Sequence, residues 1–101
     1  MWLFDQPENC ATLGTTHVMR YGAVIVLVVH EKTDYGWQFL SGYGASLQIA
    51  MVVTLSEIVE HDPSVVDVAD LSPGWIATRT TKGDSWIRQD QYADATEIVI
   101  D

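Results

Sequence analysis

Glu57 and His61 stand four residues apart in "SEIVEH", the spacing that places two ligating groups on one face of a helix. With His30, and with His17 as a further imidazole, they are the residues from which a small metal-dependent hydrolase would be assembled. Such a centre needs three chain-distant groups to converge, and no local motif brings them together. His30-Glu31 begins like a zinc-protease helix motif, but Asp34 occupies the place of its second histidine. The segment also reads as a strand entering a turn. His61 near a helix end is equally what the helix dipole favours.

The other catalytic patterns are weaker. Asp67 and Asp70, three apart after Glu60 and Asp62, could do acid–base work but read as the solvated face of a short helix and its cap. Ser41-Gly42 and Ser72-Pro73-Gly74 lack the pattern of a nucleophile elbow. Gly36, Gly42 and Gly44 precede no Gly-Lys-Ser/Thr, so no phosphate loop is encoded. Cys10 is the only cysteine, which excludes an internal disulfide and a thiolate metal cluster and suits a reducing cytoplasm. We expect no catalytic residues, no resident metal and no cofactor.

Charge narrows the partners. Lys and Arg number 5 against 14 Asp and Glu, a formal net charge of -9. The few cations are scattered, whereas phosphate neutralisation needs them clustered, so nucleic acid is not an expected partner. A basic protein partner fits the sign, as does solubility alone. The apolar run "AVIVLVV" is far shorter than the ~20 residues of a membrane helix, and "MWLFDQPENC" has no basic region or cleavage pattern. The expectation is a soluble cytoplasmic protein that does not enter membranes. With 101 residues and 48% apolar content it forms one domain, 1–101, able to bury a core without staples.

The elements follow from periodicity. After a loose N-terminus over 1–8, "CATLGTT" predicts a short strand, then a helical turn capped by Thr15 or Thr16 and stopped by Gly22. Val24 to Val29 is apolar on both faces, as in an interior strand. "EKTDYG" then makes a hairpin loop into "WQFLS", whose alternation sends Trp37 and Phe39 to the core. From Ser46 the spacing of Leu47, Met51, Leu55 and Ile58 predicts a long helix. Asp62-Pro63 restarts a second helix through Ala69, with Asp62 as N-cap. Strands from Trp75 and from Ser85 follow, joined at Lys82-Gly83 so that Thr81 pairs with Asp84 and Arg79 faces Trp86 as a cation–π pair. Residues 90–101 read as an edge strand or a tail. The order predicts an α+β fold, an antiparallel sheet of about five strands with two helices on one face.

Trp37, Trp75 and Trp86 each lie early in a predicted strand, where they could line one end of the sheet beside the loops at Thr33 to Gly36 and Thr81 to Asp84. Core packing is the ordinary role of such tryptophans. An aromatic patch flanked by Arg79 and Arg88 also has the composition of a protein interface.

Two stretches, "HEKTDYGWQFLSG" and "LSEIVEHDPSVVDVADLSPGWIATRTTKGDSWIRQ", together resemble an uncharacterised bacterial family grouped with the immunity proteins of polymorphic toxin systems. Its pattern is an acidic turn and "GWQFLSG", a "DPS" restart, then "GWxAxR" and "WxR". The resemblance runs from His30 to Gln89. Asp34, Gly36, Trp37, Phe39, Gly42, Asp62, Pro63, Gly74, Trp75, Arg79, Trp86 and Arg88 stand at its motif positions. Thr33-Asp34 replaces the two acidic residues common in the family's turn, and Ser72-Pro73 replaces its Pro-Pro or Pro-Gly.

The resemblance implies a non-catalytic immunity protein that masks a toxin, and the acidic balance would suit a basic one and steer its approach. Asp34, Tyr35, Trp75, Arg79, Trp86 and Arg88 are the candidate binding residues. The alternatives are the hydrolase on His30, Glu57 and His61, and an accessory subunit.

Overall fold

The computed structural model describes residues 1–42 and 50–91. Their order is β1 (Ala11–Thr15), α1 (Thr16–Tyr21), β2 (Leu27–His30), β3 (Trp37–Leu40), β4 (Ala50–Thr54), α2 (Leu55–His61), a 3-10 helix (Pro63–Val68), β5 (Trp75–Thr78) and β6 (Ile87–Asp90). The strands form one six-stranded sheet in the order β4-β1-β3-β2-β5-β6. The α+β class is as the sequence predicts.

Two details of the sheet differ from expectation. It is mixed, because β1 lies parallel to β3 with Leu13 beside Gln38, while every other pair is antiparallel. The chain reverses once through α1 between β1 and β2 and again between β2 and β3, which leaves β3 running in the direction of β1. The second difference is β4, which occupies residues assigned by spacing to a long helix. Val52, Val53 and Thr54 are β-branched and pack better on a pleated surface than on a helix. Val53 is buried and Val52 is 72% exposed, the alternation of a strand. The helix begins only at Leu55, where Thr54 and Glu57 form a reciprocal capping box. The remainder of the predicted helix, residues 46–49, falls outside the described residues, as does the tail from 92 onward.

Local signals place the other elements. The Thr15 side chain accepts from the Val18 N–H at 3.2 Å, and Gly22 ends α1 with φ of 70°. Asp62 closes α2 and opens the 3-10 helix, accepting from the Ser64 N–H with Pro63 next in line. The helices lie over the sheet face that carries Val28, Phe39 and Ala77, and Leu55, Ile58, Val65 and Val68 complete that core. Gly14 lies beneath α1 and α2, where a Cβ would meet Ile58 at 3.4 Å and Met19 at 3.5 Å, ordinary van der Waals contact. Leu13, Val52 and Ile87 point to the opposite face and are exposed.

The N-terminal segment is packed rather than loose. Phe4 is buried edge-on against Trp37 at 5.1 Å. Gln6 accepts from both indoles, through its side chain from Trp37 Nε1 at 3.0 Å and through its carbonyl from Trp2 Nε1 at 2.6 Å. The aromatic residues before Pro7 account for this, because they find matching rings on β3.

Candidate functional site

The antiparallel ladder divides the candidate residues between the two ends of the sheet. His30 pairs with both Trp37 and Trp75, and Trp75 pairs in turn with Asp90. Trp37, Trp75 and the loop carrying Asp34 and Tyr35 therefore share one end. Trp86 lies at the other end with the Lys82-Gly83 turn, so the three tryptophans do not line a common edge as the sequence suggested. The register there is as predicted: Thr78 pairs with Ile87, and the Asp84 N–H donates to the Thr81 carbonyl at 3.1 Å.

Arg79 faces Trp86, its guanidinium carbon 4.0 Å from the ring centroid. It is only 7% exposed, too deep to meet a partner. Nε donates to the Ile25 carbonyl, Nη1 to Ser64 Oγ and the Lys82 carbonyl, and Nη2 to Asp62 Oδ2, all at 2.9 Å. One planar fork thus ties the chain before β2, the start of the 3-10 helix and the β5–β6 turn to each other. We place Arg79 and Trp86 in the framework. Arg88 is half-exposed and also committed, donating to the Asp67 carbonyl and to Asp70 Oδ1 at 2.8 Å each.

Burial raises the Asp62 carboxyl, but hydrogen bonds from Ser64 and the charges of Arg79 and Lys82 outweigh it and hold the group below the usual carboxylate value. The unfolded chain then takes up this proton first on acidification, so the contribution is complete above the ordinary aspartate range and is lost as pH falls through the lowered value. Urea midpoints measured from neutral pH down to about pH 3 should decline, and Asp62→Asn should flatten that decline. The Arg88 hydrogen bond likewise holds Asp70 below its usual value.

The hydrolase residues are not gathered. His30 Nδ1 lies 2.6 Å from the Leu71 carbonyl, Glu57 is engaged in the Thr54 capping box, and His61 is exposed in the last turn of α2. Among the described residues no three His, Cys, Asp or Glu side chains are grouped as a metal would require.

What remains at the β2–β3 end is a surface feature. Asp34 is exposed, and its Oδ1 accepts from the Gly36 N–H at 2.9 Å while the Glu31 N–H donates to the Gly36 carbonyl at 2.8 Å. These bonds hold Tyr35 in a left-handed backbone with φ of 58°, its side chain turned to solvent. Beside it opens a cavity of about 370 Å³ walled by Asp5, Gln6, His30, Tyr35, Asp70 and Ser72, among others. No family model, curated protein or solved structure matches the chain.

The turn carrying Asp34 and Tyr35 is recognisable in the sequence, whereas Asp5 and Gln6 reach the cavity through the packing of Phe4 on Trp37. It also missed Asp62 as the partner of Arg79, although the cap itself was legible. Among the described residues, no helix is long and apolar enough to cross a membrane.

Proposed function

We propose that this chain is a non-catalytic acidic protein-binding module whose partner is a basic protein engaged at the β2–β3 end of the sheet. The observation that carries the reading is Tyr35. The residue is 60% exposed on a turn that hydrogen bonds hold in a strained backbone conformation. An L-residue with positive φ costs of order 1–3 kcal/mol and persists where the surroundings over-determine it, commonly at ligand clamps and switches. A solvent-facing tyrosine on a fixed backbone loses little main-chain entropy on docking and is a residue type favoured at interface hot spots.

Asp34 and the net charge of -9 supply attraction to a basic surface. The family resemblance extends the proposal to an immunity protein that masks a basic bacterial toxin, in the cytoplasm where such a toxin would act. Arg79 and Trp86 hold the fold in this reading, and Trp75 backs the turn through its ladder pairing with His30.

The test is affinity capture from cells that naturally make the protein, with wild-type, Tyr35→Ala and Asp34→Lys baits compared at equal folded concentration. A specific basic partner should be retained by the wild type and weakened at least about tenfold by Tyr35→Ala, as for a hot-spot residue. Asp34→Lys should mainly slow association. Equal retention of the partner by all three baits would overturn the assignment of this surface.

A further inference from the structure

The helices cover one face of the sheet, and among the described residues no element packs on the other. Residues paired across a ladder share a face, so Val52, Leu13, Gln38, Val29, Ile76 and Gln89 form one continuous row over all six strands. Leu40, Leu27, Thr78 and Ile87 form the next row. None of their apolar side chains belongs to the core cluster that the helices complete. Val52, Ile87 and Leu13 are exposed.

A sheet face that meets water is ordinarily polar. This one is mostly apolar and carries no Asp, Glu, Lys or Arg. The only such residues on the described strands are Arg88 and Asp90, which pair with Ala77 and Trp75 and so lie on the helix side. The acidic residues Glu31 and Asp34 stand at the rim, beside Leu13 and Val52. β2 is apolar on both sides, the pattern of a strand covered twice, and the helices account for one cover.

We propose that the second cover is another copy of this chain, the two sheets packing face to face about a twofold axis. An uncharged face offers no attraction to a basic partner, but it can lie against itself without opposing like charges, although each copy carries a net charge of -9. The strands are four or five residues long. With strands about 4.8 Å apart and a rise of about 3.3 Å per residue, the patch measures about 24 by 15 Å. Two such patches bring together roughly 700 Å² in projection and more in accessible area, the size of a weak, reversible interface below about 1,200 Å². The dimer therefore depends on concentration. It leaves the turn carrying Asp34 and Tyr35 at the end of the sheet, so it goes beyond the basic-partner reading without depending on it.

The experiment is sedimentation velocity of the full chain from about 5 to 500 μM, where an interface of this size dissociates, at low and moderate salt. A monomer–dimer transition is expected, and salt should strengthen it by at least about threefold because it screens the repulsion between two acidic copies. Val52→Lys and Ile87→Lys change side chains that are 72% and 69% exposed in one copy, so their urea midpoints should stay near that of the wild type. Each should weaken the dimer at least about tenfold by carrying a charge into the apolar contact. Both substitutions reduce the net negative charge, so weaker association could not come from overall repulsion.

A monomer at every concentration and both salts would mean that another part of the chain or a different protein covers the face, and would overturn the inference. A dimer indifferent to both substitutions would place the contact elsewhere and overturn it as well, as would a dimer that salt dissociates. These outcomes leave the basic-partner reading standing, because that complex depends on Tyr35 and responds to salt with the opposite sign.

Discussion

Arg79→Ala is expected to lower the unfolding free energy by about 3–5 kcal/mol, the usual cost of removing one member of a buried ion pair. Small domains have only about 5–15 kcal/mol in total, so the variant should be close to unfolding. The cause is not lost Coulomb attraction alone. Without the guanidinium, the Asp62 carboxylate stays buried with a missing partner, and the carbonyls of Ile25 and Lys82 lose the N–H donors they now have at 2.9 Å. Arg79→Lys should recover only part of the loss, since one ammonium cannot reach four acceptors spread around a planar fork. Asp62→Leu combined with Arg79→Met should be markedly more stable than Arg79→Ala, because no unpaired charge remains inside. Urea unfolding of the four proteins would test this. An Arg79→Ala variant within about 1 kcal/mol of wild type, as for a surface ion pair, would remove Arg79 from its place as the tie between the β5–β6 turn and the 3-10 helix.

Trp37→Ala should cost a similar amount, about 3–5 kcal/mol, the range for deleting a large buried aromatic. The indole is 2% exposed. It stacks between His30 at 3.9 Å and Phe39 at 6.0 Å, meets Phe4 edge-on, and donates to Gln6. Its removal would take from Phe4 its ring contact on β3, leaving Trp2 of its own segment beside it, and release the N-terminal segment from β3. Trp37→Phe keeps a ring in the stack but loses the donor to Gln6, so it should cost clearly less. Urea unfolding, with hydrogen exchange over residues 1–9, would show both effects. If Trp37→Ala left exchange in that segment unchanged, the stack would not be what holds the N-terminus to the sheet.

The ordering of these effects reflects what could be read from the chain. Features set by a few neighbouring residues were legible. Thr15 and Gly22 bracket α1, Asp62-Pro63 restarts a helix, and the alternation of "WQFL" sends Trp37 and Phe39 inward. The Thr81–Asp84 register followed from turn length, and with it the Arg79–Trp86 contact.

Residues 50–54 form a strand rather than the helix their spacing predicts, because a short apolar run satisfies a helical spacing and a strand alternation equally well. The Thr54-x-x-Glu57 signature was present to mark the true helix start. The parallel β1–β3 pair and the partners of Arg79 are set by chain-distant packing, which no local pattern encodes. The candidate site was half legible for the same reason. Asp34 and Tyr35 belong to a recognisable turn, while Asp5 and Gln6 arrive through the docking of Phe4. The His30 ring is held by a carbonyl 41 residues away.

The most direct test of the functional account is quantitative capture of partners at low and moderate salt, with the charge and stoichiometry of what is retained. The account predicts a single basic protein, bound one to one at low salt and progressively lost as screening increases. Retention of an acidic partner, or recovery of the bait alone at both salt concentrations, would contradict it.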